Sequence, residues 1–342
     1  MTKVKLLSVT ITAIIVTSII TYISYSQLIP TYAQQPNSDS VRIAVVGDID
    51  CKDTQTKQFD TIKTLNPELF FSGGDYGYSN GQCVLDNLKD HGFNSTNSAI
   101  ACGNHDSCNQ LKNFLNMSSS TGKKSFFSGK IEAFILKGKE TGVSCSDNQF
   151  TNIKSLLEGS HAMYKIVLIH QPFATAKSEA DGQEAHPPNG GFDCYHALFK
   201  DTGVMVVLQA HNHNDQRFVI DNITYTVNGG GHHDEPESMY SIVSDSFKTD
   251  TNTYPLLFKD ASHNGFLLMD LQINGTNKHI KGKFVTDANE SKDSWEVGGI
   301  PTPNGTFAVT VGKGNATFVP SNQSNANVTI AVDAGVAILP KP

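Results

Sequence analysis

Asp48, Asp75, Asn104, His170 and His211 each stand directly after a short apolar run, and His213 follows His211 by two residues. Carboxylate oxygens, an amide oxygen and neutral imidazoles are the donors that Zn, Mn and Fe accept, and two imidazoles one residue apart on a loop can each serve a different ion. A single such pair means little. Repeated at the ends of five runs, the pattern is the ligand inventory of a two-metal site, in which a shared carboxylate offsets the repulsion between neighbouring cations.

The elements that must position these groups follow from the runs themselves. Residues 204–209, Val-Met-Val-Val-Leu-Gln, read as a buried strand whose carboxyl end delivers His211 and His213, at the edge where α/β sheets place their sites. Strands at 41–47, 68–72, 98–102 and 163–169 deliver Asp48, Asp75, Asn104 and His170 in the same way. Helices are expected near 54–65, 82–91, 107–116, 148–158 and 193–200. Further strands are expected near 125–128, 131–137, 217–227, 265–273 and 278–286. The first half alternates strand and helix while the second is strand-rich, so the expected class is α/β with two mixed sheets flanked by helices.

Lys3 and Lys5 precede an uncharged, largely apolar stretch from Leu6 to Ile29, and Thr31-Tyr32-Ala33 offers small residues at peptidase spacing. Residues 1–33 therefore read as an export signal. The competing reading is a retained membrane anchor, since the stretch approaches the ~20 residues of a span. Either way, residues 34–40 form a linker and the remaining chain is placed outside the cytosol, secreted or on the extracellular face. All six cysteines follow the signal, and an even number in an exported chain points to disulfides; no Cys-X-X-Cys pair supports a metal role for them. Asn-X-Ser/Thr sequences at Asn94, Asn116, Asn222, Asn274, Asn289, Asn304, Asn315, Asn322 and Asn327 suggest glycosylated surface. The net charge of −7, with no basic block beyond the signal, argues against a nucleic-acid partner. No motif specifies an oligomeric state. One domain is expected over 41–286, followed by an Asn/Gly/Thr-rich tail over 287–342 that is β-rich or disordered.

Gly47-Asp48, Gly74-Asp75-Tyr76-Gly77-Tyr78, Gly103-Asn104-His105-Asp106, Val167-Leu168-Ile169-His170-Gln171-Pro172 and His211-Asn212-His213 occur in the order seen in calcineurin-like metallophosphoesterases. The chain resembles that family over 41–286, and Gly-Asp-X-X-Tyr is most similar to its purple acid phosphatase subfamily. The resemblance implies a four-layer α/β/β/α sandwich. It also implies a first metal held by Asp48, Asp75, Tyr78 and His213 and a second by Asp75, Asn104, His170 and His211, with Asp75 bridging. The oxygen-rich first set suits Fe(III) and the second a divalent Fe, Zn or Mn. The implied reaction is hydrolysis of phosphomonoesters through metal-activated hydroxide, with His105 and His186 facing the phosphoryl group or leaving oxygen.

The pattern also departs from the family. Asp50 stands two residues after Asp48, where most members carry His and purple acid phosphatases Gly; it could be a ligand, a neighbour of one, or a loop carboxylate. Ala210 replaces the usual glycine before the paired histidines. Tyr78 has an alternative as a packing aromatic, and His105 as a structural histidine. His186 lies on a loosely spaced loop. His232 and His233, after Gly229-Gly230-Gly231, fit solvent exposure better than the site. A phosphodiesterase or nucleotide hydrolase would use the same ligands, whereas a non-catalytic surface module would be expected to have lost some of them.

Overall fold

In the computed structural model, the described residues are 39–51, 53–78, 81–138, 143–180, 182–231 and 239–298, with the short strands 307–309 and 337–339. The expected signal or anchor at 1–33, and His232 and His233, lie outside them. Among the described residues no helix is long and apolar enough to cross a membrane.

In chain order the elements begin with β1 (Ser40–Val45), α1 (Asp53–Thr64), β2 (Leu69–Ser72), α2 (Gly81–Asp90), β3 (Ser98–Ile100) and α3 (Cys108–Phe114). There follow β4 (Gly122–Phe126), β5 (Ile131–Ile135), α4 (Asn148–Glu158), β6 (Tyr164–Leu168), β7 (Ser178–Ala180), β8 (Gln183–Ala185), α5 (Phe192–Thr202) and β9 (Val204–Gln209). The remainder is strand: β10 (Asp215–Ile220), β11 (Ile223–Asn228), β12 (Ser241–Ile242), β13 (Ser246–Lys248), β14 (Thr253–Pro255), β15 (Phe258–Asp260), β16 (Gly265–Gln272), β17 (His279–Thr286), β18 (Ser291–Gly298), β19 (Phe307–Val309) and β20 (Ala337–Leu339).

The helices start and stop where local chemistry requires. Ser107 caps α3 by accepting from the Gln110 amide, and Asp147 caps α4 by accepting from Phe150 at 2.8 Å. Gly203, at φ 76°, turns the chain out of α5 into β9 in a left-handed conformation that suits glycine.

Two mixed sheets carry the fold. One runs β18-β17-β16-β1-β2-β3, with β1, β2 and β3 parallel; the other runs β15-β10-β11-β9-β6-β5-β4, with β5, β6, β9 and β11 parallel. The period-two alternation of β5 and β6 assigns the layers. Ile131, Ala133, Ile135, Tyr164, Ile166 and Leu168 join the core of the first sheet, while Phe134, Val167 and Ile169 pack with Ile153 and Leu157 of α4 and Tyr195 and Phe199 of α5. Phe59 and Ile62 of α1 and Val84 and Leu88 of α2 cover the first sheet. This is the expected α/β/β/α order. Arg217 of β10 forks onto Asp293 of β18 at 2.6 and 2.9 Å, joining the sheets through a largely buried bidentate pair.

That pair also corrects the expected onset of the tail at 287. Ser291–Gly298 is an edge strand on β17, with Trp295 laid against Gly282, where a Cβ would stand 2.1 Å from the indole. Within the expected tail, β19 pairs antiparallel with β20. A small sheet of order β12-β7-β8 and the pair β13-β14 were not expected.

Candidate metal centre

The parallel strands β1, β2 and β3 of one sheet and β6 and β9 of the other all end at one edge, and their loops bring the expected donors together. Asp48 (φ 56°), Asp75 (φ 55°) and His211 (φ 72°) adopt the left-handed region, so the chain turns sharply at each strand end. The loops are fastened to each other by main chain, with Asp48 N donating to Gly74 O at 2.9 Å and His211 N donating to Asp48 Oδ2 at 2.8 Å. Gly103 permits the tightest approach, since a Cβ there would lie 1.9 Å from Asp75 Oδ1.

One group of donors surrounds His170. Its Nε2 lies 3.0 Å from Asn104 Oδ1, 3.0 Å from His211 Nδ1 and 3.0 Å from Asp75 Oδ2. Each ring nitrogen carries at most one proton, so a single hydrogen on Nε2 cannot serve all three of these contacts. Among the described residues no well-aligned donor meets the buried Asp75 Oδ2, although its distance to His170 is that of an ion pair. With a cation bound, a neutral His170 donating from Nδ1 to Gly73 O, 3.2 Å away, would direct the Nε2 lone pair into the cluster. This donor set fits a metal ion, and Asp75, His170 and His211 are close enough to share one.

A second group lies beside it. Tyr78 Oη donates to Asp48 Oδ1 at 2.8 Å and lies 2.9 Å from His213 Nε2, while His213 Nε2 is 3.7 Å from Asp48 Oδ1. Burial, then Asp48 and Asp75, push the phenol of Tyr78 far above its ordinary range. Burial likewise raises the Asp48 carboxyl, up to about 8. In the ion-free protein both donors are therefore held protonated, a state that a cation would displace. Burial opposes charge on His170, but Asp75 outweighs it and raises the imidazole to about 9; the same contact holds Asp75 low against its own burial. Burial and the neighbouring imidazoles drive His211 strongly down, leaving it a neutral donor.

Both residues expected to face substrate reach this edge. The exposed ring of His105 lies on Tyr78 at 4.5 Å between centroids, and its amide donates to Asp75 Oδ1 at 2.9 Å. His186 follows β8 at φ 42°, and its ring centroid is 3.7 Å from that of His211. Asp50 Oδ1 accepts from the Cys51 amide at 2.7 Å. Two contributors were missed. Tyr240 stacks on His213 at 4.4 Å and 12°, its hydroxyl 3.3 Å from His186 Nε2, but it reaches the site from a loop without a strand-end signature. Asp106 accepts from the amides of Asp75, Tyr76 and Gly103 at 2.7–2.9 Å and so clamps two ligand loops; its place in Gly-Asn-His-Asp was the available signal.

Disulfides brace the same edge. Cys51–Cys83 ties the loop after Asp48 to α2, and Cys102–Cys108 closes a ring around Asn104, His105 and Asp106. Cys145–Cys194 joins the start of α4 to α5.

The calcineurin-like phosphoesterase family model matches residues 41–215, so the chain belongs to that family. The purple acid phosphatase PPD1 from yellow lupin (Lupinus luteus) seeds is similar in fold, at 15% identity and TM-score 0.56 over 77% of this chain and 54% of that one. The chain thus spans about half the length of that phosphatase. GAP50, the anchor in the inner membrane complex of Plasmodium, is similar at 16% identity and TM-score 0.50, over 76% of this chain and 89% of that one. No curated protein matches the sequence.

Proposed function

We propose that the chain is an exported, binuclear metal-dependent phosphatase of the purple acid phosphatase type, hydrolysing phosphomonoesters. The observation that carries this reading is the convergence of Asp75 Oδ2, Asn104 Oδ1 and His211 Nδ1 on His170 Nε2, each at 3.0 Å, beside the Tyr78, Asp48 and His213 group. Asp48, Tyr78 and His213 would hold Fe(III), and Asn104, His170 and His211 a divalent Fe, Zn or Mn, with Asp75 shared. The cations would supply Lewis acidity, neutralising phosphate oxygens and activating water. The chain's own groups do the rest: His105 and His186 present imidazoles to the phosphoryl group and leaving oxygen, and Asp106 keeps the ligand loops in place.

Elemental analysis of the purified protein with an aryl phosphate assay tests this. About two ions per chain and metal-dependent hydrolysis are expected. Fully loaded protein inert towards every phosphate ester would overturn the reading.

A further inference from the structure

Between His211 and His213 stands Asn212, fully buried. Its Nδ2 donates to Thr175 Oγ1 at 2.8 Å and to the main-chain carbonyl of His186 at 3.3 Å. His186 occupies a left-handed conformation that a non-glycine residue keeps only when its surroundings over-determine it. The arm leading to it, from Pro172 onward, takes much of its support from side-chain amides on and beside the His211–His213 loop. Gln209 Oε1 accepts from the Phe173 and Ala174 amides at 2.7 and 3.1 Å, and Gln216 Oε1 accepts from Ala176 at 2.7 Å. In this series Asn212 is the one that reaches His186 itself.

We propose that Asn212 is a positioning residue that sets the His186 imidazole over the metal centre by holding the His186 carbonyl. The inference rests on the phosphatase reading for His186's role, but its geometry is independent of that reading. The loop that carries His211 and His213 thereby also fixes the imidazole beside them, so that the distance from those two rings to His186 is set within a few bonds rather than across the fold.

The test is a double-mutant cycle on metal-loaded full-length protein with Asn212→Ala, His186→Ala and the pair, reading kcat, KM and bound metal with an aryl phosphate. Misplacement of a catalytic group by about 1 Å lowers rate on the order of 10²-fold. We expect Asn212→Ala to lower kcat in that range with KM and metal content little changed, and the double variant to be no slower than His186→Ala alone. Thr175→Val, which removes the acceptor that orients the Asn212 amide, should give a smaller loss that also vanishes in the His186→Ala background. Additive losses, or losses that follow metal content, would overturn the proposal. Metal-loaded wild type without phosphoesterase activity would overturn the phosphatase reading instead. In that case crystallography of Asn212→Ala decides, since a His186 ring still centred 3.7 Å from that of His211 sinks the inference.

Discussion

Tyr78 donates its phenolic hydrogen to Asp48 at 2.8 Å while standing 2.9 Å from His213. A phenol so buried beside two carboxylates ionises only if a strongly charged cation replaces its proton. Under the proposed assignment, ferric protein should show a visible charge-transfer band that Tyr78→Phe abolishes, with activity reduced but not lost. Asp50→Asn should leave the band in place. A colourless, fully active protein that Asp50→Asn disables would instead make Asp50 the ligand.

The ion-free protein should lose stability as pH rises. Asp48 and His170 both have folded values above their unfolded ones, about 8 against 3.8 and about 9 against 6.5. Through these two groups the folded chain holds extra protons, whereas His211, kept neutral by folding, holds fewer than its unfolded form below about 6.5. The contribution of Asp48 and His170 is full below their lower values and is lost as pH climbs through the upper ones. Chelated protein should melt progressively lower from about pH 6.5 to about pH 9, while metal-loaded protein, whose cations replace those protons, should not follow. Parallel melting curves for the two forms would contradict the assignment.

Asp106→Ala removes the acceptor of three main-chain amides, each costing about 1–3 kcal/mol when left buried and unpaired. Because those amides belong to the Asp75 and Asn104 loops, lowered metal content should accompany the lowered melting temperature. Asp106→Asn, which keeps one acceptor oxygen, should be milder on both measures.

The disulfides should divide by position. Replacing Cys102 and Cys108 together by Ser should cost about 2–5 kcal/mol and also weaken metal retention, because the ring holds Asn104. Replacing Cys145 and Cys194 should lower stability alone. Equal metal loss in both pairs, measured by elemental analysis after dialysis, would argue against local bracing.

What could be read from sequence were the groups whose placement depends on one strand and the residue after it. Asp48, Asp75 and His170 end buried parallel strands, and an apolar run followed by a donor is a local pattern. β18 escaped because an edge strand on a covered sheet needs little apolar content. Only Trp295 is buried in it, and its partner is a glycine on β17. The cysteine pairing depends on which loops meet, and six cysteines allow fifteen arrangements. Tyr240 and the clamping role of Asp106 arise from contacts between distant segments, for which no short-range pattern exists.

The left-handed backbone at Asp48, Asp75, His211 and His186 restricts which mutations this centre can accept over evolutionary time. Asp, Asn and His tolerate that conformation better than other non-glycine residues, whereas bulky and β-branched ones are strained there. Glutamate or cysteine would serve many metals equally well, but at these positions they must also bear the cost of the turn. A lineage retuning its metal preference would find easier routes at Tyr78, Asn104, His170 and His213, where the chain is not so turned. In this way the path of the main chain screens inorganic chemistry before any ion arrives.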